Sequence, residues 1–283
     1  MPTPLHTIIQ LSDTHIVPEG ELLHGSQDTI QHVAAVLTAL QESGLSPDAL
    51  LLTGDLADTG RPEAYARLRA LVEPAAERIG CPVLYAMGNH DERIAFRAGL
   101  LPGEGAVDYV HMAGDLRIIV LDSTVPGHHH GELSAAQLDW LRAELATPAP
   151  AGTIVALHHP PIPSPLALLD MVGLNSAAEL ADAVRGSDVR MILAGHAHHA
   201  SAGTLAGVPV WVAGAVAYSS DTLAPAGAFR GLPGATFTRV DLYEDHTVAT
   251  VVPVSPQSVQ PLYEITAEQL EKYMAQSAAA AQS

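Results

Sequence analysis

Ala49-Leu50-Leu51-Leu52-Thr53-Gly54-Asp55 is the stretch on which the fold turns. A short uncharged run reads as a strand, and it ends in a glycine that permits a sharp exit and then a carboxylate. Just downstream, Arg61-Pro62-Glu63 opens a segment with Tyr65, Leu68, Leu71 and Val72 at helical spacing, and proline suits the first helical turn. The same unit stands upstream. Thr7 to Ser12 is an apolar run that delivers Asp13 and His15, and Ser26 to Ser43 carries Ile30, Val33, Val36, Leu37 and Leu40 in a helical pattern.

The pattern continues outward from there. Val83 to Met87 delivers Gly88-Asn89-His90-Asp91, and Arg117 to Leu121 ends at Asp122 ahead of a loop with His128-His129-His130. Ser134 suits the N-cap of a helix through Leu138, Leu141 and Leu145, which the Pro148-Ala149-Pro150 turn ends. Thr153 to Leu157 then delivers His158-His159-Pro160-Pro161, and Arg190 to Ala194 delivers Gly195-His196-Ala197-His198. Three further strands, Val208 to Val212, Phe237 to Tyr243 and Val248 to Val254, are close-spaced and expected to be antiparallel. The class is α/β, and two facing sheets with helices outside fit better than one doubly wound sheet, because the second half has little room for crossover helices.

A chain of 283 residues accommodates one large domain, expected over residues 1–255, with residues 256–283 as a tail whose alanine-rich part, Thr266 to Gln282, is helical. No run approaches the ~18 to 20 apolar residues that a spanning helix needs. The N-terminus lacks the basic start and cleavage site of a secretory signal, so a cytoplasmic location is expected. The single cysteine, Cys81, agrees with a reducing compartment and reads as core packing. Thirteen Lys and Arg against 31 Asp and Glu give a net charge of −18, a surface that repels long nucleic acid and anionic membranes. The cations are scattered without a basic run, so an anionic substrate would have to be met by bound metal ions.

Divalent cations take carboxylate oxygen and imidazole nitrogen at roughly 2.0 to 2.2 Å, and a binuclear site needs about six to eight such donors. Seven stand at strand ends: Asp13, His15, Asp55, Asn89, His158, His196 and His198. Asp13 and His15 are two apart, which in an extended exit puts both side chains on one side. A single carboxylate at Asp55 is the natural bridge between two ions. Asn89 offers a neutral amide oxygen, while His90 is left as a proton donor that the neighbouring Asp91 can orient. An isolated Asp-x-His pair would read as ordinary loop chemistry; five such clusters in order do not.

Those clusters resemble the calcineurin-like metallophosphoesterases, whose D-x-H, GD, GNH, H and GHxH pattern stands here as Asp13-Thr14-His15, Gly54-Asp55, Gly88-Asn89-His90, His158 and Gly195-His196-Ala197-His198. Leu51 to Asp58, Val125 to Gly131 and Leu157 to Pro163 are similar to the class III cyclic nucleotide phosphodiesterases of the actinobacterial type. The likeness spans roughly residues 7 to 254. The resemblance implies a four-layer α/β/β/α sandwich of two facing mixed sheets, a homodimer, and two metal ions per chain drawn from iron, manganese or zinc. It implies that one ion takes Asp13, His15, Asp55 and His198 and the other Asp55, Asn89, His158 and His196. Asn89 and His90 would contact the phosphate, with Asp58 and His129 as further substrate-side groups, and His159 would play a structural part.

The expected reaction is hydrolysis of a 3′,5′-cyclic nucleotide, cyclic AMP favoured, to the 5′-nucleotide. The ions lower the pKa of a water from ~15.7 towards ~7 for in-line attack, and His90 protonates the leaving 3′-oxygen. Two alternatives stand beside it: a broad phosphodiesterase acting on 2′,3′-cyclic nucleotides or glycerophosphodiesters, and an inactive phosphoesterase fold kept as a binding scaffold. A phosphomonoesterase is disfavoured because no arginine lies within the motifs to hold the extra charge.

Overall fold

The computed structural model describes residues 3–101, 103, 107–254 and 263–280. In chain order the elements are β1 (His6–Leu11), α1 (Thr29–Ser43), β2 (Ala49–Thr53), α2 (Pro62–Ile79), β3 (Val83–Ala86), α3 (Arg93–Gly99), β4 (Tyr109–Ala113) and β5 (Leu116–Val120). There follow α4 (Ala135–Leu145), β6 (Thr153–Ala156), α5 (Ala167–Asp170), α6 (Ala177–Val184), β7 (Val189–Ala194), β8 (Ser201–Leu205) and β9 (Val208–Val212). The short pair β10 (Ser219–Ser220) and β11 (Gly231–Leu232), then β12 (Thr236–Leu242), β13 (Thr247–Pro253) and α7 (Ala267–Ala280) complete the order.

Two mixed sheets face each other. One runs β13-β12-β1-β2-β3, the other β4-β5-β6-β7-β9-β8. Period-two side-chain alternation explains the layering. From β1 and β2, Ile9, Leu11, Leu50 and Leu52 point outward against Val33 and Leu37 of α1 and Leu68 and Val72 of α2. Their neighbours Ile8 and Leu51 point inward and meet Ile118, Val120, Ile154 and Leu193 of the opposite sheet. The outer face of that sheet, through Ile119, Val155 and Ile192, packs on Leu138 and Leu141 of α4 and Leu180 of α6. The expected α/β/β/α sandwich is therefore the observed one.

Two helix starts bear out their sequence signals. Pro62 sits in the first turn of α2, and Ser134 caps α4 with a full capping box in which Gln137 reciprocates. The expectation that the later strands are antiparallel holds for β12 with β13 and with β1. It is corrected for β9, which is antiparallel to β8 but parallel to β7. A hairpin through β8 carries the chain back, so no crossover helix is needed between β7 and β9. Among the described residues no helix is long and apolar enough to cross a membrane.

Parallel strands β1, β2, β3, β6 and β7 all release their chains at the same edge of the sandwich. Beneath that edge Gln10 spans the two sheets, donating from Nε2 to Thr53 Oγ1 and to the Ala194 carbonyl, both at 3.0 Å. Open α/β sheets place ligands at the carboxyl ends of their strands, and this is where the seven donors gather.

Candidate metal centre

The loops that carry the donors are locked to one another by backbone hydrogen bonds. Asp13 N–H donates to the Gly54 carbonyl at 3.0 Å and His15 N–H to that of Asp55 at 2.9 Å. Gly88 lies so close to Asp55 that a Cβ there would fall 2.2 Å from its backbone nitrogen, and one at Gly195 would fall 1.9 Å from Ser12 Oγ. Only glycine permits these approaches.

The exits are not extended. Asp13, His15, Asp55, His196 and His198 have φ of 52°, 42°, 50°, 69° and 54°, in the left-handed region. The idea that an extended exit places Asp13 and His15 on one side is therefore corrected: a left-handed turn at each donor aims the side chains inward. Such conformations are costly outside glycine, least so for Asp and His, and cluster at functional sites.

The side chains form two pockets of donors around Asp55. On one side, His15 Nε2 lies 3.6 Å from Asp55 Oδ2 and 3.0 Å from His198 Nε2, which is 3.4 Å from Asp13 Oδ1. On the other, His158 Nε2 lies 3.4 Å from Asp55 Oδ1, 3.2 Å from Asn89 Oδ1 and 3.2 Å from His196 Nδ1. The two oxygens of one carboxylate thus face two different half-sites. His159 is near, but its Nδ1 faces Ser123 Oγ at 2.8 Å and its Nε2 the His129 carbonyl at 3.1 Å. Both of its nitrogens are engaged.

Hydrogens are short in this cluster. His158 Nδ1 donates to the Thr53 carbonyl at 2.8 Å and His198 Nδ1 to that of Tyr218 at 3.2 Å, because a carbonyl can only accept. His15 Nδ1 sits 3.1 Å from Asp58 Oδ1. That hydrogen bond holds the Asp58 carboxyl below its ordinary range despite partial burial. Asp58 is therefore an ionised acceptor, and His15 Nδ1 carries the hydrogen. Each of these rings then turns the other nitrogen, Nε2, toward carboxylates, an amide oxygen and other ring nitrogens. Such a meeting of lone pairs needs a proton or a cation in each half-site.

Without metal, protons serve. Burial pushes His158 down, but the Asp55 and Asp13 charges outweigh it and lift it to about 9. Burial opposes His15 too, yet Asp58, Asp55 and Asp13 raise it. Burial and the His158 charge drop His196 to about 3, and burial with His15 holds His198 well below its usual range. Asp55, though burial raises it, is held well below the carboxylate range by His158. Each half-site thus pairs one imidazole shifted up with one shifted down, and His196 Nε2 is buried with no partner. The oxygen and nitrogen set, the lone pairs and the orphaned nitrogen fit divalent metal ions.

His90 lies at the rim. Its Nδ1 donates to the Asp58 carbonyl at 2.7 Å, and its ring meets that of His15 edge-on at 4.7 Å. The expectation that Asp91 orients it is corrected. Asp91 turns the other way and accepts from the backbone N–H groups of Leu56, Ala57 and Gly88 and from the Tyr65 hydroxyl. It clamps the loop of Asp55 to the loop of Asn89. From the histidine triple, His129 Nδ1 lies 3.3 Å from Asn89 Nδ2, whereas His128 and His130 pair with each other at 5.0 Å. Tyr218, whose ring stands 4.3 Å from that of His198, carried no sequence signal.

A family model described as calcineurin-like phosphoesterase matches residues 6–200. A probable cyclic nucleotide phosphodiesterase of Rhodococcus erythropolis is 50% identical over 258 residues, 89% of this chain and 85% of that protein. The cAMP/cGMP dual specificity phosphodiesterase of Mycobacterium tuberculosis is 48% identical over 257 residues, 89% of this chain and 81% of that protein. Among solved structures, the purple acid phosphatase of yellow lupin seeds superposes with a TM-score of 0.65 at 15% identity, over 91% of this chain and 53% of the lupin chain. That last likeness is one of fold.

Proposed function

The chain belongs to the calcineurin-like phosphoesterase family, and from that premise we propose that it hydrolyses 3′,5′-cyclic nucleotides, cyclic AMP favoured, to 5′-nucleotides. The observation that carries the reading is the division of the Asp55 carboxylate between two clusters of hydrogen-poor donors. Asp13, His15, Asp55 and His198 would hold one ion, and Asp55, Asn89, His158 and His196 the other. Iron, manganese or zinc suits these nitrogen and oxygen donors. When bound, such ions supply a water of lowered pKa and positive charge against the phosphate.

The chain's own groups do the rest. Carbonyls of Thr53 and Tyr218 and the carboxylate of Asp58 fix the rings of His158, His198 and His15 with Nε2 inward. Asn89 gives its oxygen to the His158 side and turns its NH₂ towards His129 at the rim, where a phosphate oxygen would be met. His90 has Nδ1 committed to the Asp58 carbonyl. Nε2 is then the nitrogen left to protonate the leaving 3′-oxygen, and a doubly protonated ring is the competent form. Asp58 and His129 flank it on the substrate side.

The same reading includes a homodimer, a cytoplasmic location, and residues 1–255 as the catalytic unit. Light scattering and fractionation test the first two. The test of function is initial rates on cyclic AMP, cyclic GMP, a 2′,3′-cyclic nucleotide and a glycerophosphodiester, with metal content measured on the same sample. Preference for the 3′,5′-cyclic substrates, abolished by Asp55→Ala together with metal binding, is the expected result. A faster rate on the 2′,3′-cyclic nucleotide or the glycerophosphodiester would refute it. So would inactivity of metal-loaded protein on all four.

A further inference from the structure

Two depressions flank the donor cluster, and they differ in size and chemistry. The one beside Asn89 measures about 170 Å³ and is lined by Arg93, Thr124 and Pro126. Its guanidinium is already bound to Asp122 and to Thr124 Oγ1. The other measures about 440 Å³ and is lined by His24, Ser26, Gln27, Tyr218, Phe229 and Leu232. Small-molecule pockets span roughly 300 to 1,000 Å³, which the second reaches and the first does not.

Tyr218 joins the larger pocket to the centre. Its ring is 4.3 Å from His198 and 6.2 Å from His15, and on the pocket side it meets His24 edge-on at 5.2 Å. Gly231 lets the short β10–β11 pair lie against that ring, since a Cβ there would come within 3.0 Å of it. The chain between those strands is closed by the Arg230–Asp221 ion pair and by a 2.9 Å backbone bond from Asp221 N–H to the Arg230 carbonyl. On this fastened loop Phe229 is 42% exposed, and Leu232 on β11 is 45% exposed. An aromatic and an aliphatic side chain are thus held in solvent at the mouth of a pocket that opens beside a metal centre.

We propose that this pocket seats the purine base of the cyclic nucleotide, a proposal that rests on the hydrolytic reading above. A purine has apolar faces and a polar edge, and the lining matches that division. Phe229, Tyr218 and Leu232 offer apolar surface, and no Lys or Arg lines the pocket, so it suits a neutral group rather than a phosphate. Gln27 Nε2 donates to Ser26 Oγ at 3.1 Å, which leaves the Gln27 oxygen to accept from an exocyclic amine. Adenine and guanine both carry one. Stacking on an aromatic ring is tolerant of base identity. Cyclic AMP and cyclic GMP should therefore both bind, with KM values within about tenfold of each other.

The experiment measures Ki for AMP and for ribose 5-phosphate against bis(p-nitrophenyl) phosphate turnover in the metal-loaded wild type, Phe229→Ala and Ser26→Trp. The first variant removes the stacking surface and the second fills the pocket. Each should raise Ki for AMP by about five- to a hundredfold, the loss of one base–aromatic stack, and leave that for ribose 5-phosphate within about twofold. An unchanged Ki for AMP in both variants overturns the proposal. So does a parallel rise for ribose 5-phosphate, which would mean damage to the centre itself. Wild-type protein that fails to hydrolyse any cyclic nucleotide refutes the hydrolytic reading instead, and the AMP-to-ribose 5-phosphate difference still reports on the pocket.

Discussion

Asp91→Asn is the substitution that best tests how the two half-sites are held in register. Asp91 Oδ1 accepts from Leu56 N–H at 3.1 Å, Ala57 N–H at 3.0 Å and the Tyr65 hydroxyl at 3.0 Å, while Oδ2 accepts from Gly88 N–H at 2.9 Å. An asparagine with its oxygen at the Oδ1 position keeps the first three and turns an NH₂ against the Gly88 N–H. One buried donor loses its partner and faces another donor, at a cost of about 1 to 3 kcal/mol. Alanine would orphan all three backbone donors, about 3 to 9 kcal/mol in sum, against a typical stability of ~5 to 15 kcal/mol. The damage is directional. Gly88 precedes Asn89, so the half-site of Asn89, His158 and His196 should loosen while that of Asp13, His15 and His198 persists. Urea denaturation should show Asp91→Asn losing about 1 to 3 kcal/mol, with elemental analysis falling from two ions towards one. A variant that keeps two ions and the wild-type urea midpoint would refute the clamp.

Other outcomes follow from the same geometry. His90→Ala should retain the bound metal and lose about 10²- to 10⁴-fold in kcat on a cyclic nucleotide, since only the proposed proton donor is removed; full activity in the loaded variant would exclude that role. Metal loading of the apoprotein near neutral pH should release at least about one proton, read in a weakly buffered titration, because His158, lifted to about 9, holds one where an ion would sit, and His15 is shifted in the same direction. The sign is set by the raised pKa of His158: affinity should climb with pH through the range below about 9 and level off above it, once that ring has lost its proton. Truncation after residue 255 should leave metal content and turnover on a cyclic nucleotide within about twofold of the full chain, checked by parallel assay of both forms.

Much of this was legible in the sequence because strand cores are apolar runs with period-two alternation, and because each run that matters ends in a residue able to bind metal. The edge strands β4 and β8 were not. β4 mixes Tyr109, His111 and Met112 on half-exposed positions, and β8 contains Gly203 and alternates partly buried with exposed residues, so neither shows a core signal. α3 follows directly on the Asn89-His90-Asp91 loop, and the side-chain cap from Glu92 to Ala95 N–H at 2.8 Å is its only strong start signal. Within the site, the donor types are visible in the sequence but the groups that aim them are not. Two of the three rings are fixed by backbone carbonyls, of Thr53 and Tyr218, and every residue has a carbonyl. Asp91 misled by adjacency: neighbouring side chains diverge, and its partners lie up to 35 residues away in chain order.

The left-handed backbone at Asp13, His15, Asp55, His196 and His198 sets thermal robustness against chemistry in this molecule. Each such residue stores on the order of 1 kcal/mol that glycine would not, so several kcal/mol of the sandwich's core stability is spent keeping donors aimed. Glycine at any of the five would relieve strain and delete a proposed metal donor in one step. A library screened for heat resistance alone would therefore drift toward better-folded, inert proteins at these loops. Heat-stable active variants must be sought in the layers beneath, where helices meet sheets and no donor is at stake.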